Sequence, residues 1–388
     1  MSLRGYLDKI KPKFQKGGKY EKFQSTFDAF ETFMFVPNKV TTKGAHIRDA
    51  IDLKRTMSIV ILALMPALLF GMWNVGYQHY LLIGEKSNLL LNFWFGLQKV
   101  VPIIAVSYIS GLTVEFIFAQ FRHHEVNEGF LVTGILIPLI MPVTIPLWIV
   151  AVSTIIAVIF VKEAFGGTGM NVFNPALMTR AIIFFAYPAK ITGDLVWVYG
   201  AGGNNIVDSI TGATPLTFAS SDNLTKIPSL YDLFFGFIPG SIGETSKFAI
   251  LIGAVILVVT GIGSLRIMLS TIVGGIVMTL IFNAFGANSY MTIDPLTQLL
   301  MGGFMFGAVF MATDPVTGSQ TPNGKIIYGF LIGLFAIMIR VFNPAYPEGM
   351  MLAILLMNMF APLIDHIVVR ANIRRRLKRS IKSKVIIN

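Results

Sequence analysis

Ten apolar runs long enough, or nearly long enough, to cross a lipid bilayer dominate this 388-residue sequence and limit what it can fold into. They lie at roughly 57–75, 100–120, 128–143, 147–165, 173–188, 247–264, 267–287, 296–312, 325–342 and 349–369. A hydrocarbon core of about 30 Å is crossed by roughly 20 apolar residues in a helix. Inside lipid every backbone N–H and C=O needs a partner within the protein, which leaves the helix as the spanning element for such runs. Hydrophobic residues make up 54% and charged residues 13%, where a soluble domain carries about 25% charged. The expected fold class is an all-α polytopic membrane protein of about ten transmembrane helices.

The third and fifth runs are short for a full crossing, and the third contains Pro138 and Pro142. Proline removes a helical hydrogen bond, so broken or re-entrant helices are expected there. Five runs precede and five follow a polar interval at about 189–246. Five being odd, two homologous halves would sit in opposite orientations, a 5+5 inverted repeat. Phe173-Asn-Pro-Ala176 and Phe342-Asn-Pro-Ala345 echo each other across the halves. The spacings Gly303-xxx-Gly307 and Gly329-xxx-Gly333 predict close helix contacts.

Charge sets the orientation. Of 31 Lys and Arg, twelve precede Met57 and eight lie from Arg370 onward. Basic flanks beside spans favour the cytoplasmic side, where anionic lipid holds them. The net charge of +11 therefore points to a membrane surface, and no nucleic-acid partner is expected. Residues 1–56 hold no apolar signal core and are expected to form a cytoplasmic basic segment, 57–369 the transmembrane domain, and 370–388 a cytoplasmic basic tail. The interval 189–246, rich in Gly, Asn, Ser and Asp, then falls on the outer, periplasmic side.

The chain has no cysteine, which excludes disulfides and thiolate-held iron–sulfur or zinc centres. None of the apolar runs carries a histidine pair placed to ligate haem from both sides. No metal site is expected, and a redox role would need an organic carrier.

Several segments carry possible chemistry. In Asp208-Ser-Ile-Thr-Gly-Ala-Thr-Pro215 the proline holds Thr214 extended, and Gly212 permits positive φ. This is either a turn or a presented hydroxyl. Gly166-Gly-Thr-Gly169, after Lys162-Glu163, is either a helix end with a tight turn or a binding loop. Glu115 lies inside the second run, where an acid is costly enough to be a functional candidate; a hydrogen bond to a neighbouring helix is the alternative. Asp314 before Pro315 caps a turn or meets a ligand, and Asp365 beside His366 meets the interface or a cation. Phe306 and Phe310 pack a span or narrow a path.

The segment Asp208 to Thr214 resembles the flavin-attachment motif of membrane subunits of sodium-translocating NADH:quinone reductases and of the related Rnf complex. The resemblance to the B subunit of the former, within the NqrB/RnfD family, extends along most of the chain. It runs through Gly44-Ala-His-Ile-Arg-Asp49, His124-Glu-Val-Asn-Glu-Gly-Phe130, Lys162 to Ala176, Phe185-Ala-Tyr-Pro-Ala189, Ile238-Pro-Gly-Ser-Ile-Gly-Glu244, Phe310-Met-Ala-Thr-Asp-Pro315 and Arg340 to Met351. Thr211 stands where the family usually has Ser, and Leu112 where it often has a second glycine. The resemblance implies a fold like that of urea transporters, and covalent FMN joined through phosphate to Thr214 by a separate flavin transferase. It implies a non-covalent riboflavin near Gly169, Asn171, Asn174 and Asp314, and quinone near Gly111 and Glu115. It also implies a sodium path with Asp365, Phe306 and Phe310. The implied setting is a six-subunit complex of the bacterial inner membrane that passes electrons to ubiquinone or menaquinone and moves Na⁺ outward. An Rnf-type ferredoxin:NAD⁺ reductase subunit and a non-redox secondary transporter are the alternatives. The long amino-terminal extension argues against the Rnf form.

Overall fold

The computed structural model describes residues 53–122, 129–201, 212–343 and 348–387, together with 3–15 and a few positions between 18 and 44. His124 to Glu128, Asp208 to Thr211 and Pro344 to Pro347, all within motifs named above, lie outside the described residues. Among the described residues the regular structure is helical.

Among the described residues six helices are long and apolar enough to cross a membrane: Lys54–Ile83, Leu89–Arg122, Leu147–Phe165, Leu265–Phe285, Pro322–Phe342 and Met350–Arg379. The chain is a multi-pass membrane protein by this measure. The other four apolar runs form shorter pieces. Three are the helices Phe130–Leu139, Pro175–Ala186 and Lys247–Val259. The fourth, expected as one span over 296–312, is broken into Pro295–Leu300, Phe304–Phe306 and a wider π turn over Gly307–Met311. The break falls at Gly302–Gly303, and Gly302 takes φ +58°, a conformation that only glycine adopts at low cost.

Local chemistry explains where the short pieces start. For the elements that build the site we write α1 for Phe130–Leu139, α2 for Pro175–Ala186, α3 for Pro215–Ser220, α4 for Lys247–Val259 and α5 for Pro322–Phe342. Asn174, Thr214, Ser246 and Thr321 each accept a backbone N–H at the start of α2, α3, α4 and α5, and Pro follows at N1 in three of them. These are the side chains that satisfy orphan donors at a helix start. α1 ends soon after Pro138, with Ile140 as its C-cap. Its end is locked to the segment before α4 by Gly243 N–H to Leu139 O at 2.7 Å and Ile242 N–H to Met141 O at 3.3 Å.

Short and long helices share one core. Residues of α1, α2, α4 and the 304–312 segment belong to one buried apolar cluster, with Ile137, Leu139, Ala176, Ile250, Phe304 and Phe306 at 2% exposure or less. Leu265–Phe285 and α5 approach closely because Gly329 and Gly333 leave room for Ser270 and the Thr271 carbonyl, as their spacing predicted. Gly303 departs from that expectation: a Cβ there would meet the Glu244 carboxylate, not a helix backbone.

Candidate functional site

Two cavities open among the short central elements. The first has a volume of about 270 Å³ and is bounded by Thr214 to Thr217 on α3, Arg180 on α2, Ser241 to Lys247 leading into α4, Gly302–Gly303, and Glu348. The second, about 100 Å³, is bounded by Asn171, Asn174, Lys162, Leu257, Phe310 and the Thr313 to Val316 turn. α2 reaches both, with Asn174 and Pro175 on one and Arg180 on the other. Six residues of helix rise about 9 Å. α4 likewise presents Lys247 to the first and Leu257 to the second.

In the first cavity, Thr214 is extended at φ −83°, ψ 160°, as Pro215 requires. It is half-buried on the wall. Its hydroxyl lies 3.1 Å from the Thr217 hydroxyl and accepts the Thr217 N–H at 3.3 Å. Gly212 does not use positive φ; it is needed because a Cβ would collide with the Asp194 carbonyl. Tight packing, rather than a left-handed turn, therefore explains this glycine.

The opposite side of this cavity is ionic. Arg180, 1% exposed, bridges Glu244 through Nη1 at 3.1 Å and Glu348 through Nη2. Lys247, also 1% exposed, donates to the carbonyls of Glu244 and Thr245, each at 3.1 Å. Arg340 lies behind Gly302, donating to the Met301 carbonyl at 3.3 Å and the Glu348 carbonyl at 3.4 Å. Burial and the neighbouring Glu348 carboxylate push Glu244 up to about 8, against the pull of Arg180. Thr245 lines the cavity, and its buried hydroxyl has no hydrogen-bond partner among the described residues.

The second cavity gathers groups far apart in sequence. Asn174 Nδ2 donates to Asp314 Oδ2 at 3.4 Å across 140 residues. Much of this polar capacity is spent locally. Asn174 Oδ1 caps α2, Asn171 donates to the Phe173 carbonyl at 3.1 Å, and Asp314 accepts from Val316 N–H at 3.1 Å and the Thr317 hydroxyl at 2.9 Å. The turn-capping alternative for Asp314 thus holds alongside its place on the cavity. Gly169 is exposed at φ +92° and is not among the lining residues.

The remaining candidates fall elsewhere. Gly111 faces the Phe130 ring so closely that a Cβ could not fit. Glu115 pairs with Lys162, both side chains 4% exposed, so its helix-to-helix alternative is what the structure displays. Neither Gly111 nor Glu115 lines a described cavity, although Lys162 lines the second. The Phe306 and Phe310 rings lie tilted against each other, centroids 5.0 Å apart, after the Gly302–Gly303 break, and Phe310 lines the second cavity. Asp365 is half-buried and accepts from the Ser319 hydroxyl, Gln320 N–H, Thr321 N–H and Thr321 hydroxyl at 2.6–2.9 Å, tying its helix to the start of α5.

Sequence reasoning singled out Thr214 but gave no role to the charges opposite it. Arg180 and Arg340 did interrupt apolar runs, a signal that such residues have work to do. Their acidic partners could not be picked out, because Glu244 and Glu348 lie 64 and 168 residues from Arg180.

Comparison with known proteins shows the family to which the chain belongs. The family model for the NQR2, RnfD, RnfE family matches residues 40–374. The chain is 47% identical to the B subunit of the Na(+)-translocating NADH-quinone reductase of Chromohalobacter salexigens, covering 98% of this chain and 97% of that one. It is 46% identical to the protein of that name from Ectopseudomonas mendocina and 45% to that from Azotobacter vinelandii, covering 98% of this chain and all of each relative.

Proposed function

This chain belongs to the NQR2, RnfD, RnfE family, and from that membership we propose that it is the B component of a sodium-pumping NADH:quinone reductase. Identity of 45–47% along nearly the whole chain to proteins of that name favours this over an Rnf-type subunit or a non-redox transporter. The observation that carries the redox part is the placement of Thr214. Its hydroxyl stands on the wall of a buried cavity close to the lower end of the roughly 300–1,000 Å³ that small-molecule sites occupy.

The residues present fit a covalent FMN. Thr214 Oγ1 would carry the phosphate, with the Thr217 hydroxyl and N–H beside it. Thr245 lines the same cavity, and its hydroxyl has no partner among the described residues. FMN supplies electron carriage without a metal. The chain's own residues would hold the group, exclude water through Leu216 and Ile238, and set the local charge through Arg180 and its partners.

Riboflavin at Asn171, Asn174 and Asp314, with Gly169 at the edge, is a second assignment. The amide and carboxyl groups suit an isoalloxazine edge, but a cavity of about 100 Å³ falls below the usual range for a ligand of that size. Quinone at Gly111 and Glu115 rests on the Lys162 link to that cavity. For sodium, Asp365 would stand at the mouth of a path and the Phe306–Phe310 pair at its constriction. Partner subunits, a flavin transferase, two cytoplasmic termini, a periplasmic 189–246 interval, ten crossings and the inverted repeat belong to the same proposal. The third run is short or broken in both halves, which supports the repeat.

The test is in-gel fluorescence under ultraviolet light after denaturing electrophoresis, with the flavin transferase co-expressed. The band is expected to fluoresce in the unaltered chain and to be dark in Thr214→Ala. A dark unaltered chain, or a fluorescent Thr214→Ala, would overturn the FMN assignment.

A further inference from the structure

A tryptophan stands on the wall of the Thr214 cavity. Trp197 is the one aromatic side chain among the described residues that line it. Its backbone is held on both sides: Val196 and Val198 are buried at 8% and 4% exposure, Val198 in a cluster with Leu82 and Ala201, and the Thr144 hydroxyl donates to the Val196 carbonyl at 2.8 Å. Trp197 itself is only half-buried. The same stretch runs against the segment that carries Thr214, so closely that a Cβ on Gly212 would lie 2.3 Å from the Asp194 carbonyl oxygen and 3.5 Å from the Ala201 Cβ. Two packed segments thus bring a hydroxyl-bearing residue and an indole to one cavity.

We propose that Trp197 is the stacking platform for the aromatic ring of the organic redox group carried by Thr214. The inference rests on the assignment of FMN to Thr214. A ribityl phosphate puts several single bonds between the attachment atom and the ring, so the ring comes to rest on another part of the wall. The groups on that wall differ in what they offer a flat, polarisable ring. Arg180, Glu244 and Glu348 are engaged with one another, and Leu216 and Ile238 are aliphatic. An indole offers a broad π face, and stacked aromatic surfaces gain beyond the area they bury. Because the neighbours of Trp197 already anchor its backbone, less ordering is left to be done when the ring arrives. Trp197 is then a cofactor-binding residue: it fixes the plane of the ring, while the covalent link fixes the other end of the group.

Native and denatured fluorescence, compared in the assembled complex made with the flavin transferase, test this. An indole in contact with a photo-excited flavin passes it an electron and takes it back, which extinguishes the emission; a phenyl ring in the same place stacks but donates poorly. The native emission of the Thr214-linked flavin is read as the difference between each complex and its Thr214→Ala counterpart. It is expected to be weak in the unaltered complex and to rise several-fold in both Trp197→Leu and Trp197→Phe. Quenching by iodide, which measures how open the ring is to water, is expected to increase in Trp197→Leu and to stay near the unaltered level in Trp197→Phe. Should Trp197→Leu fail to assemble, the rise in emission of Trp197→Phe carries the test. Native emission that Trp197→Phe leaves unchanged, or iodide quenching that rises equally in both variants, while the denatured band stays fluorescent, would overturn the stack and leave the flavin assignment standing. A denatured band that survives Thr214→Ala would instead remove the flavin assignment beneath it.

Discussion

The two cavities are built from the same short helices yet differ in kind. The Thr214 cavity is wider, lined by four buried ionisable groups, and bordered by a hydroxyl on an extended residue. The Asn174 cavity is narrow and neutral in most of its polar lining, and its amides are largely engaged in caps and turns. The difference teaches what each can accept. A lining of buried ionic groups favours a polar or charged occupant, while spent amides favour shape and a few hydrogen bonds.

The largest expected effect separates the cavities outright. Thr214→Ala abolishes the fluorescent band, whereas Asn174→Leu, which loses the α2 cap and the Asp314 contact, leaves it intact. A band lost in both variants would mean that the cavities act as one site.

Next comes the ion pair beside the Asn174 cavity. Lys162→Met removes the cationic half of the buried Glu115–Lys162 pair, and breaking a buried pair costs about 3–5 kcal/mol. A clear fall in the melting temperature of the purified complex is expected, and Glu115→Leu in the same chain should recover much of it. Failure of the double variant to recover would show that Glu115 and Lys162 have separate tasks.

A smaller effect follows from overpacking. Gly111→Ala pushes against the Phe130 ring, at a cost of about 1–3 kcal/mol. If Gly111 only packs, stability falls and the KM for quinone is unchanged. A raised KM with unchanged stability would place quinone there. Smallest is Asp365→Asn, whose amide oxygen can still accept from Ser319 and Thr321 while its NH2 cannot accept the Gln320 N–H, and which removes the charge. It is expected to lose about 1 kcal/mol, as for a weakened helix cap, and to need more sodium for half-maximal quinone reduction. An unchanged sodium dependence would confine Asp365 to its structural tie.

The legible parts of the fold were those written in consecutive residues. Apolar runs placed every long helix, Pro138 and Pro142 predicted the interrupted third run, and Pro215 set the backbone of Thr214. The break at Gly302–Gly303 was not legible, because mean hydropathy over 296–312 stays high while the backbone turns. Of the proposed riboflavin residues, Asn171, Asn174 and Asp314 do meet and Gly169 stands apart, a distinction of fractions of a helical turn that no spacing encodes.

By itself the sequence determined the membrane class, the ten apolar runs, the lack of thiolate chemistry and the extended, hydroxyl-bearing Thr214, since each depends on composition or immediate neighbours. Only the tertiary structure decided which runs remain full helices and which charges meet. Arg180 reaches Glu244 and Glu348 across 64 and 168 residues because α2, the approach to α4 and the turn at Glu348 converge on one cavity. Packing of the whole bundle sets that convergence, and with it the ionic side opposite Thr214.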